Sequence, residues 1–157
     1  DTPQIPSKER CELRVSLLQE ELNELKEAIA DNNLVEIADA LCDLQYVLSG
    51  AVLEFGLGEK FPPLFNEVQR SNMSKACANQ QEADETIAFY KEKGEEAFSE
   101  ISGEKINVHR KSDNKVLKNK YYSPADLKSI LKNKYHTDEK NNTIIIGLYN
   151  STYNCTI

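Results

Sequence analysis

Two short acidic clusters are the part of this sequence whose residue types and spacing could do chemistry. The first cluster comprises Glu20, Glu21 and Glu24, and the second comprises Glu36 and Asp39. In each cluster two carboxylates are three residues apart, so on a helix they project from neighbouring positions of the surface. Carboxylate oxygens are ligands that Mg²⁺ prefers. Two such helices lying antiparallel could therefore hold this cation between them.

The residues around the clusters predict two helices joined by a short turn. Apolar side chains recur at helical spacing through both stretches. Ser7 is expected to cap the first helix, which should run to about Ala30. Residues 31–33 are typical of a turn because their side chains can bond to nearby backbone. The second helix is expected from about Leu34 to Phe55, and Gly56 should end it.

The second helix is apolar nearly all round, which is typical of a buried helix. Its one acidic stripe consists of Glu36, Asp39 and Asp43. Burying carboxylates without partners costs several kcal/mol each. No lysine or arginine lies between Glu27 and Glu59. We therefore expect a divalent cation shared with the first cluster and Asp43 as an additional candidate ligand, with an exposed acidic face as the alternative.

The rest of the chain predicts two further helices, a β-hairpin and a last short helix. The two expected helices cover residues 61 to about 78 and residues 81–94. The hairpin strands cover residues 106–110 and 115–118. Ser123 is expected to cap the last helix, which has Pro124 at its first position and runs to about Lys132. The expected fold class is mainly all-α, an antiparallel helical bundle with a small C-terminal β-hairpin. Residues 1–133 are predicted to form one domain, and residues 134–157 a tail of uncertain structure.

Composition excludes some classes of function. The formal net charge of -7 argues against a protein that binds nucleic-acid polymers non-specifically. No apolar run is long enough to span a membrane, and the four cysteines lack the paired spacing of a zinc or dithiol site. These features favour a cytoplasmic protein. The chain begins at Asp1 rather than Met, so we expect that some natural N-terminal sequence is absent.

With both clusters in place, the chain resembles the all-α nucleoside triphosphate pyrophosphohydrolases. This superfamily includes MazG proteins, dimeric dUTPases and phosphoribosyl-ATP pyrophosphohydrolase. Its motif is E-E-x-x-E followed by E-x-x-D. The first half matches Glu20, Glu21 and Glu24, and the second matches Glu36 and Asp39.

A second likeness is to a MazG-like branch of the superfamily, the phosphoribosyl-ATP pyrophosphohydrolase-like branch. Asn72 and Lys75 match the N-x-x-K helix of that branch. Residues 113–118 resemble its D-G-K-x-x-K hairpin, with Asn114 in place of the glycine. Asparagine tolerates a positive φ, so the turn can survive this change. The likeness covers roughly residues 2–132.

The resemblance implies a Mg²⁺-dependent enzyme, with Mn²⁺ as a substitute, that cleaves an NTP or dNTP into a nucleoside monophosphate and pyrophosphate. Glu20 would orient or deprotonate the attacking water. The implied metal ligands are Glu21, Glu24, Glu36 and Asp39, with Asp43 as a further ligand or a support for one. The implied substrate contacts are Asn72, Lys75, Lys115, Lys118 and Tyr122. Relatives of this kind assemble as homodimers or homotetramers, so we expect the same here.

Other readings remain open at this point. The chain could be a non-catalytic helical module that binds a nucleotide or a partner and keeps a remnant metal site. It could also be phosphoribosyl-ATP pyrophosphohydrolase itself. Lys75 could be a surface lysine beside a capping asparagine, and Lys115, Lys118 and Tyr122 could belong to a solvated hairpin. Arg70 could pair with Glu67 along its helix.

Overall fold

The computed structural model describes residues 2–132, and helices dominate them. The helices are α1 (Lys8–Ala30), α2 (Leu34–Glu54), α3 (Phe61–Met73), α4 (Gln80–Glu92) and α5 (Leu127–Lys132), and the strands are β1 (Ala97–Ser102), β2 (Lys105–Arg110) and β3 (Val116–Leu117). The mainly helical class with a small β part is therefore confirmed. The described residues divide into two compact units, the first ending at Phe61 and the second beginning at Pro62. The predicted tail, residues 134–157, lies outside the described residues.

The first unit is the pair of helices α1 and α2, and its helix starts are as predicted. Ser7 caps α1 by accepting the backbone N–H of Arg10 at 3.4 Å. Asn33 caps α2, since its side chain accepts the backbone N–H groups of Val35 and Glu36. These caps satisfy N–H groups that have no partner within the helix. The turn between the helices includes Asn32 with a φ of 52°.

The segment before α1 closes the C-terminal end of α2. The backbone N–H of Gln4 donates to the carbonyl of Phe55 at 3.0 Å. Gly56 follows with a φ of 66°, and a Cβ atom on it would collide with the carbonyl of Thr2. Only glycine meets both requirements, the left-handed conformation and the close approach of backbone.

Two arginines of α1 meet one carboxylate near the end of α2. Arg10 donates to Glu54 through Nε at 2.8 Å and through Nη2 at 2.7 Å. Arg14 donates to the same carboxylate through Nε at 2.8 Å. Such forked contacts fix both distance and orientation. They tie the start of α1 to the end of α2.

The prediction that α2 is buried is wrong for this chain. The buried residues of α2 are Ala40, Ala51 and Val52. By contrast, Val35 is 75% exposed and Tyr46 is 79% exposed. The reason is geometric, because α1 covers only one side of α2. The expected burial of the acidic stripe fails with it: Glu36 and Asp39 are exposed, and Asp43 is half-buried.

The second unit is built around a three-stranded antiparallel sheet in the order β1-β2-β3. Strands β2 and β3 correspond to the predicted hairpin, whereas β1 was not predicted. Val108 of β2 is paired with Ser99 of β1 and with Leu117 of β3. The core between the sheet and α4 comprises Cys77, Ala83, Ala97, Val108 and Leu117.

Two helices of the second unit differ from their predicted bounds. Helix α3 ends at Met73 rather than near residue 78 because Cys77 pairs with β2, exchanging two backbone hydrogen bonds with Ile106 at 2.8 and 3.0 Å. Helix α5 begins at Leu127 rather than after Ser123. Asp126 is the residue that caps it, since its carboxylate accepts the backbone N–H of Ser129 at 3.1 Å.

Candidate functional site

The acidic clusters of α1 and α2 come together around Glu21. Glu21 is half-buried, and burial is the largest cause that raises the pKa of its carboxyl above the usual value. The negative charges of Glu24, Asp43, Glu20 and Asp39 raise it further. Like charges disfavour the ionised form of a carboxyl group. Carboxylates from both helices therefore act on one position.

Glu36 stands somewhat apart from this group. It lies in the first turn of α2 and is exposed, and its charge is not among those that raise the pKa of Glu21. In the described part of the chain, none of the predicted acidic residues has an ion pair or a side-chain hydrogen bond. These residues are Glu20, Glu21, Glu24, Glu36, Asp39 and Asp43.

The donor set fits a divalent cation in chemistry and in charge. Several carboxylates without a cationic partner are the oxygen ligands that Mg²⁺ takes. Within residues 2–132, however, no three side chains of Asp, Glu, His or Cys converge closely enough to hold a metal ion. Candidate ligands therefore lie on both helices, but in the described residues they are not assembled into a cage. Most of them are exposed, so their side chains can rotate toward a cation.

Glu20, the predicted catalytic residue, lines an open groove along α1. The groove has a volume of about 690 Å³, and its lining residues are Cys11, Glu12, Val15, Ser16, Gln19, Glu20 and Asn23. All of them lie on one helix. The Glu20 side chain therefore faces an open surface rather than an enclosed cavity, and water has access to it.

A second cluster, in the second unit, collects most of the predicted substrate contacts. Lys75 Nζ donates to Asn72 Oδ1 at 2.9 Å, and Lys118 Nζ lies 4.4 Å from the centroid of the Tyr122 ring. A hydrogen bond from Ser71 is the largest cause that lowers the pKa of the Tyr122 hydroxyl, and the charges of Lys118 and Lys75 lower it further. The structure therefore brings Asn72, Lys75, Lys118 and Tyr122 together.

Lys115 is not part of this cluster. Its backbone N–H donates to Asp113 Oδ1 at 3.2 Å within the hairpin turn, where Asn114 has a φ of 59°. Its side chain is exposed. The prediction that asparagine can replace glycine in this turn is confirmed. Lys115 as a substrate contact stays a prediction.

Arg70 and Glu67 form the pair that their spacing along the helix allowed. Arg70 donates to Glu67 through Nε and Nη2, each at 2.8 Å. Arg70 also reaches the carbonyl of Pro124 at 3.1 Å, and the backbone N–H of Asp126 donates to Glu67 at 2.9 Å. The pair thus fastens the segment after Tyr122 to α3.

Two residues near this cluster were missed from the sequence. Ser71 is 4% exposed and reaches Tyr122, and Asn119 is 6% exposed and bonds to the chain around Lys75. A small hydroxyl within a polar helix and an asparagine among lysines carry no periodic signal. Their importance becomes visible only when the loop that follows β3 is seen to lie against α3.

Residues 2–132 include no helix with the length and apolar character needed to cross a membrane.

Comparisons with known proteins agree with the acidic motifs. Residues 1–72 match the family model of phosphoribosyl-ATP pyrophosphohydrolase. An uncharacterised protein of Acanthamoeba polyphaga mimivirus is 30% identical over 116 residues, which cover 69% of this chain and 45% of the viral protein. The chain thus spans about half the length of that curated relative. The matched residues 1–72 contain α1, α2 and both acidic motifs, and the family of that model is a member of the all-α NTP pyrophosphohydrolase superfamily.

Proposed function

We propose that this protein is a Mg²⁺-dependent pyrophosphohydrolase that cleaves a nucleoside triphosphate into the monophosphate and pyrophosphate. One observation carries the proposal: carboxylates from α1 and α2 gather around Glu21 without a cationic partner in the described chain. A carboxyl group whose pKa is perturbed by burial and by neighbouring charges is typical of a functional site. The same residues lie within the segment that matches the family model.

The reaction assigns a role to each acidic residue. Glu21, Glu24, Glu36 and Asp39 would hold Mg²⁺, and Asp43 would ligate or support it. The cation would neutralise negative charge on the triphosphate oxygens. Glu20 would orient the attacking water and accept its proton.

The second cluster supports contacts with phosphate groups. Lys75 and Lys118 each provide a compact positive charge that suits a phosphate oxygen. Tyr122 adds a hydroxyl, and Lys118 covers one face of its ring. Asn72 holds the Lys75 ammonium group and would orient it.

A nucleotide panel tests the proposal. The protein is incubated with NTPs, dNTPs and Mg²⁺, and pyrophosphate and orthophosphate are measured separately. We expect pyrophosphate and the monophosphate, and no activity in the presence of EDTA. Orthophosphate without pyrophosphate, or turnover that EDTA does not affect, would contradict the proposal.

Phosphoribosyl-ATP is the second substrate to test, because the matching family model is named for the enzyme that hydrolyses it. It belongs in the same panel, at the same concentrations. Faster release of pyrophosphate from phosphoribosyl-ATP than from any NTP would assign that activity instead.

A non-catalytic module with a remnant site is the third candidate. It is favoured by the observation that, among the described residues, no three of the carboxylates near Glu21 lie close enough to one another to hold a metal ion. Glu36→Gln separates the two cases. An enzyme loses turnover with nearly unchanged stability in EDTA, whereas a remnant has no turnover to lose.

The exposed apolar side chains of the helix pair support assembly into a homodimer or homotetramer. Leu34 is 78% exposed and Val15 is 67% exposed, and Val35 and Tyr46 are similarly uncovered. Large exposed apolar patches are typical of protein interfaces. Light scattering coupled to size-exclusion chromatography measures the mass directly. A monomer at micromolar concentration would contradict this part of the proposal.

A further inference from the structure

Asn119 is the centre of a buried hydrogen-bond network in the second unit. Its Nδ2 donates to the carbonyl of Ala76 at 3.2 Å and to Glu82 Oε2 at 3.0 Å. Its Oδ1 accepts the hydroxyl of Thr86 at 3.2 Å and the backbone N–H of Tyr121 at 3.0 Å. Thr86 is fully buried. The amide group thus uses both of its donors and its acceptor, a combination that a carboxylate cannot reproduce.

The backbone of the same residue holds two members of the second cluster. The N–H of Asn119 donates to the carbonyl of Lys75 at 2.8 Å, and its carbonyl accepts the N–H of Tyr122 at 2.9 Å. Lys118 precedes it in the chain, and the Lys118 carbonyl accepts the Tyr90 hydroxyl at 3.0 Å. Lys75, Lys118 and Tyr122 come from two separate segments of the chain, and Asn119 joins these segments.

The chemistry of the cluster selects an anion. Two ammonium groups and one hydroxyl lie close enough for the charges of Lys75 and Lys118 to lower the pKa of Tyr122, whose hydroxyl already accepts a hydrogen bond from Ser71. Lys118 occupies one face of the Tyr122 ring. These groups fit a phosphate group better than an apolar ligand.

We propose that Asn119 is a positioning residue for a phosphate-binding site formed by Lys75, Lys118 and Tyr122. Asn119 does not touch the ligand. Its side chain fixes the loop after β3 against the segment that carries Lys75, which sets the distance between the two lysines. That the phosphate belongs to a nucleotide rests on the proposed function; the binding of a phosphate group does not.

Pyrophosphate binding measured by calorimetry in the presence of EDTA tests this role. EDTA removes divalent cations, so the carboxylates of α1 and α2 cannot retain pyrophosphate through a metal. Asn119→Asp keeps the shape of the side chain but loses both Nδ2 donors. Val108→Ala is the matched control, since Val108 is 2% exposed in the same core and carries no polar group.

We expect Asn119→Asp to weaken pyrophosphate binding by about tenfold or more, and Val108→Ala to change it by less than about twofold. Both are measured well below their unfolding temperatures. Thr86→Val is the milder variant, usable if Asn119→Asp does not fold, and it should give a smaller loss. Glu82→Gln combined with Asn119→Asp should recover part of the affinity, because the glutamine amide can donate to the new carboxylate.

The outcomes separate this inference from the proposed function. Pyrophosphate binding that depends on Asn119 supports the inference even if no nucleotide is hydrolysed. The inference is overturned if the unmodified protein does not bind pyrophosphate, if the Asn119 and Thr86 variants both bind as the unmodified protein does, or if Val108→Ala loses as much affinity as they do.

Discussion

Two glutamates on the same pair of helices have opposite surroundings. Glu54, near the end of α2, accepts hydrogen bonds from Arg10 and Arg14, and these lower the pKa of its carboxyl to about 2. Glu21, on α1, is surrounded by other carboxylates, and burial and their charges raise the pKa of its carboxyl. One carboxylate is fully compensated within the chain, and the other faces uncompensated negative charge.

This difference separates a structural carboxylate from candidate functional ones. Ionising Glu54 stabilises the folded chain because two guanidinium groups surround the charge. Ionising Glu21 costs the folded chain free energy because the carboxyl group is partly buried and because like charges lie nearby. A cation bound from solution would offset this cost. The following predictions test whether the two positions really differ in this way.

The largest effect is expected at Glu20, beside Glu21. Glu20→Gln removes the proposed acceptor of the water proton, so kcat for pyrophosphate release should fall by about 10²- to 10⁴-fold. Glu27→Gln is the matched control on the same helix, because Glu27 is exposed and its charge is not among those acting on Glu21. Steady-state kinetics with saturating Mg²⁺ measure both. Equal rates in the two variants would remove Glu20 from the mechanism.

A smaller effect is expected from Asp43, which lies half-buried on α2. Asp43→Asn should weaken the affinity for Mg²⁺ by about 10- to 100-fold, as is usual when a ligand or its supporting group is lost. The Mg²⁺ dependence of the rate, or calorimetry with Mg²⁺, gives the value. Glu59→Gln serves as a control outside the cluster. Unchanged affinity in Asp43→Asn would limit the site to the two sequence motifs.

At Glu54 the effect is on stability and depends on pH. A carboxyl group with a lowered pKa contributes stability above its ordinary pKa of 4.5, and this contribution is lost as the pH falls toward about 2. Urea unfolding of the unmodified protein should therefore show a steeper loss of stability across this range than Glu54→Gln does. If the two curves run in parallel, the arginine pair does not stabilise the fold.

The smallest effect is expected at Glu21, where the substitution should raise the stability of the fold at neutral pH rather than lower it. A carboxyl group with a raised pKa favours the fold at low pH, and this contribution is lost as the pH rises through the raised value. At neutral pH in EDTA, Glu21→Gln should thus melt slightly above the unmodified protein. Saturating Mg²⁺ should reduce or reverse the difference. A variant that melts lower in EDTA would show that the carboxylates do not oppose folding.

The helix pair could be predicted from sequence because its signals are local. Ser7 and Asn33 cap helices through their own side chains, and the glycine after α2 ends it through its own backbone. Within each acidic motif the carboxylates stay close because residues three apart on a helix are neighbours on its surface. These features depend on residues close together in the chain.

What could not be predicted depends on distant partners. Helix α3 ends early because Cys77 pairs with β2, and α5 starts late because the Pro124 carbonyl and the Asp126 N–H are held by the Arg70–Glu67 pair. The burial of α2 was predicted wrongly because an apolar composition does not show which other part of a protein covers each face of a helix. In this chain α1 covers one face of α2 and leaves apolar side chains on the other side exposed. The role of Asn119 follows from its hydrogen bonds to residues 75–76 and to Glu82 and Thr86 of α4, which are all more than 30 residues away in sequence.

The contact between Gly56 and Thr2 has a consequence for chain cleavage. The helix pair is closed at one end by the turn of residues 31–33 and at the other by the hydrogen bond from Gln4 to Phe55. A protease that cuts the exposed turn therefore leaves α1 and α2 held by their shared face, by the arginine contacts and by this backbone bond. We expect the two fragments to migrate as one species in native gels and to separate only in denaturant.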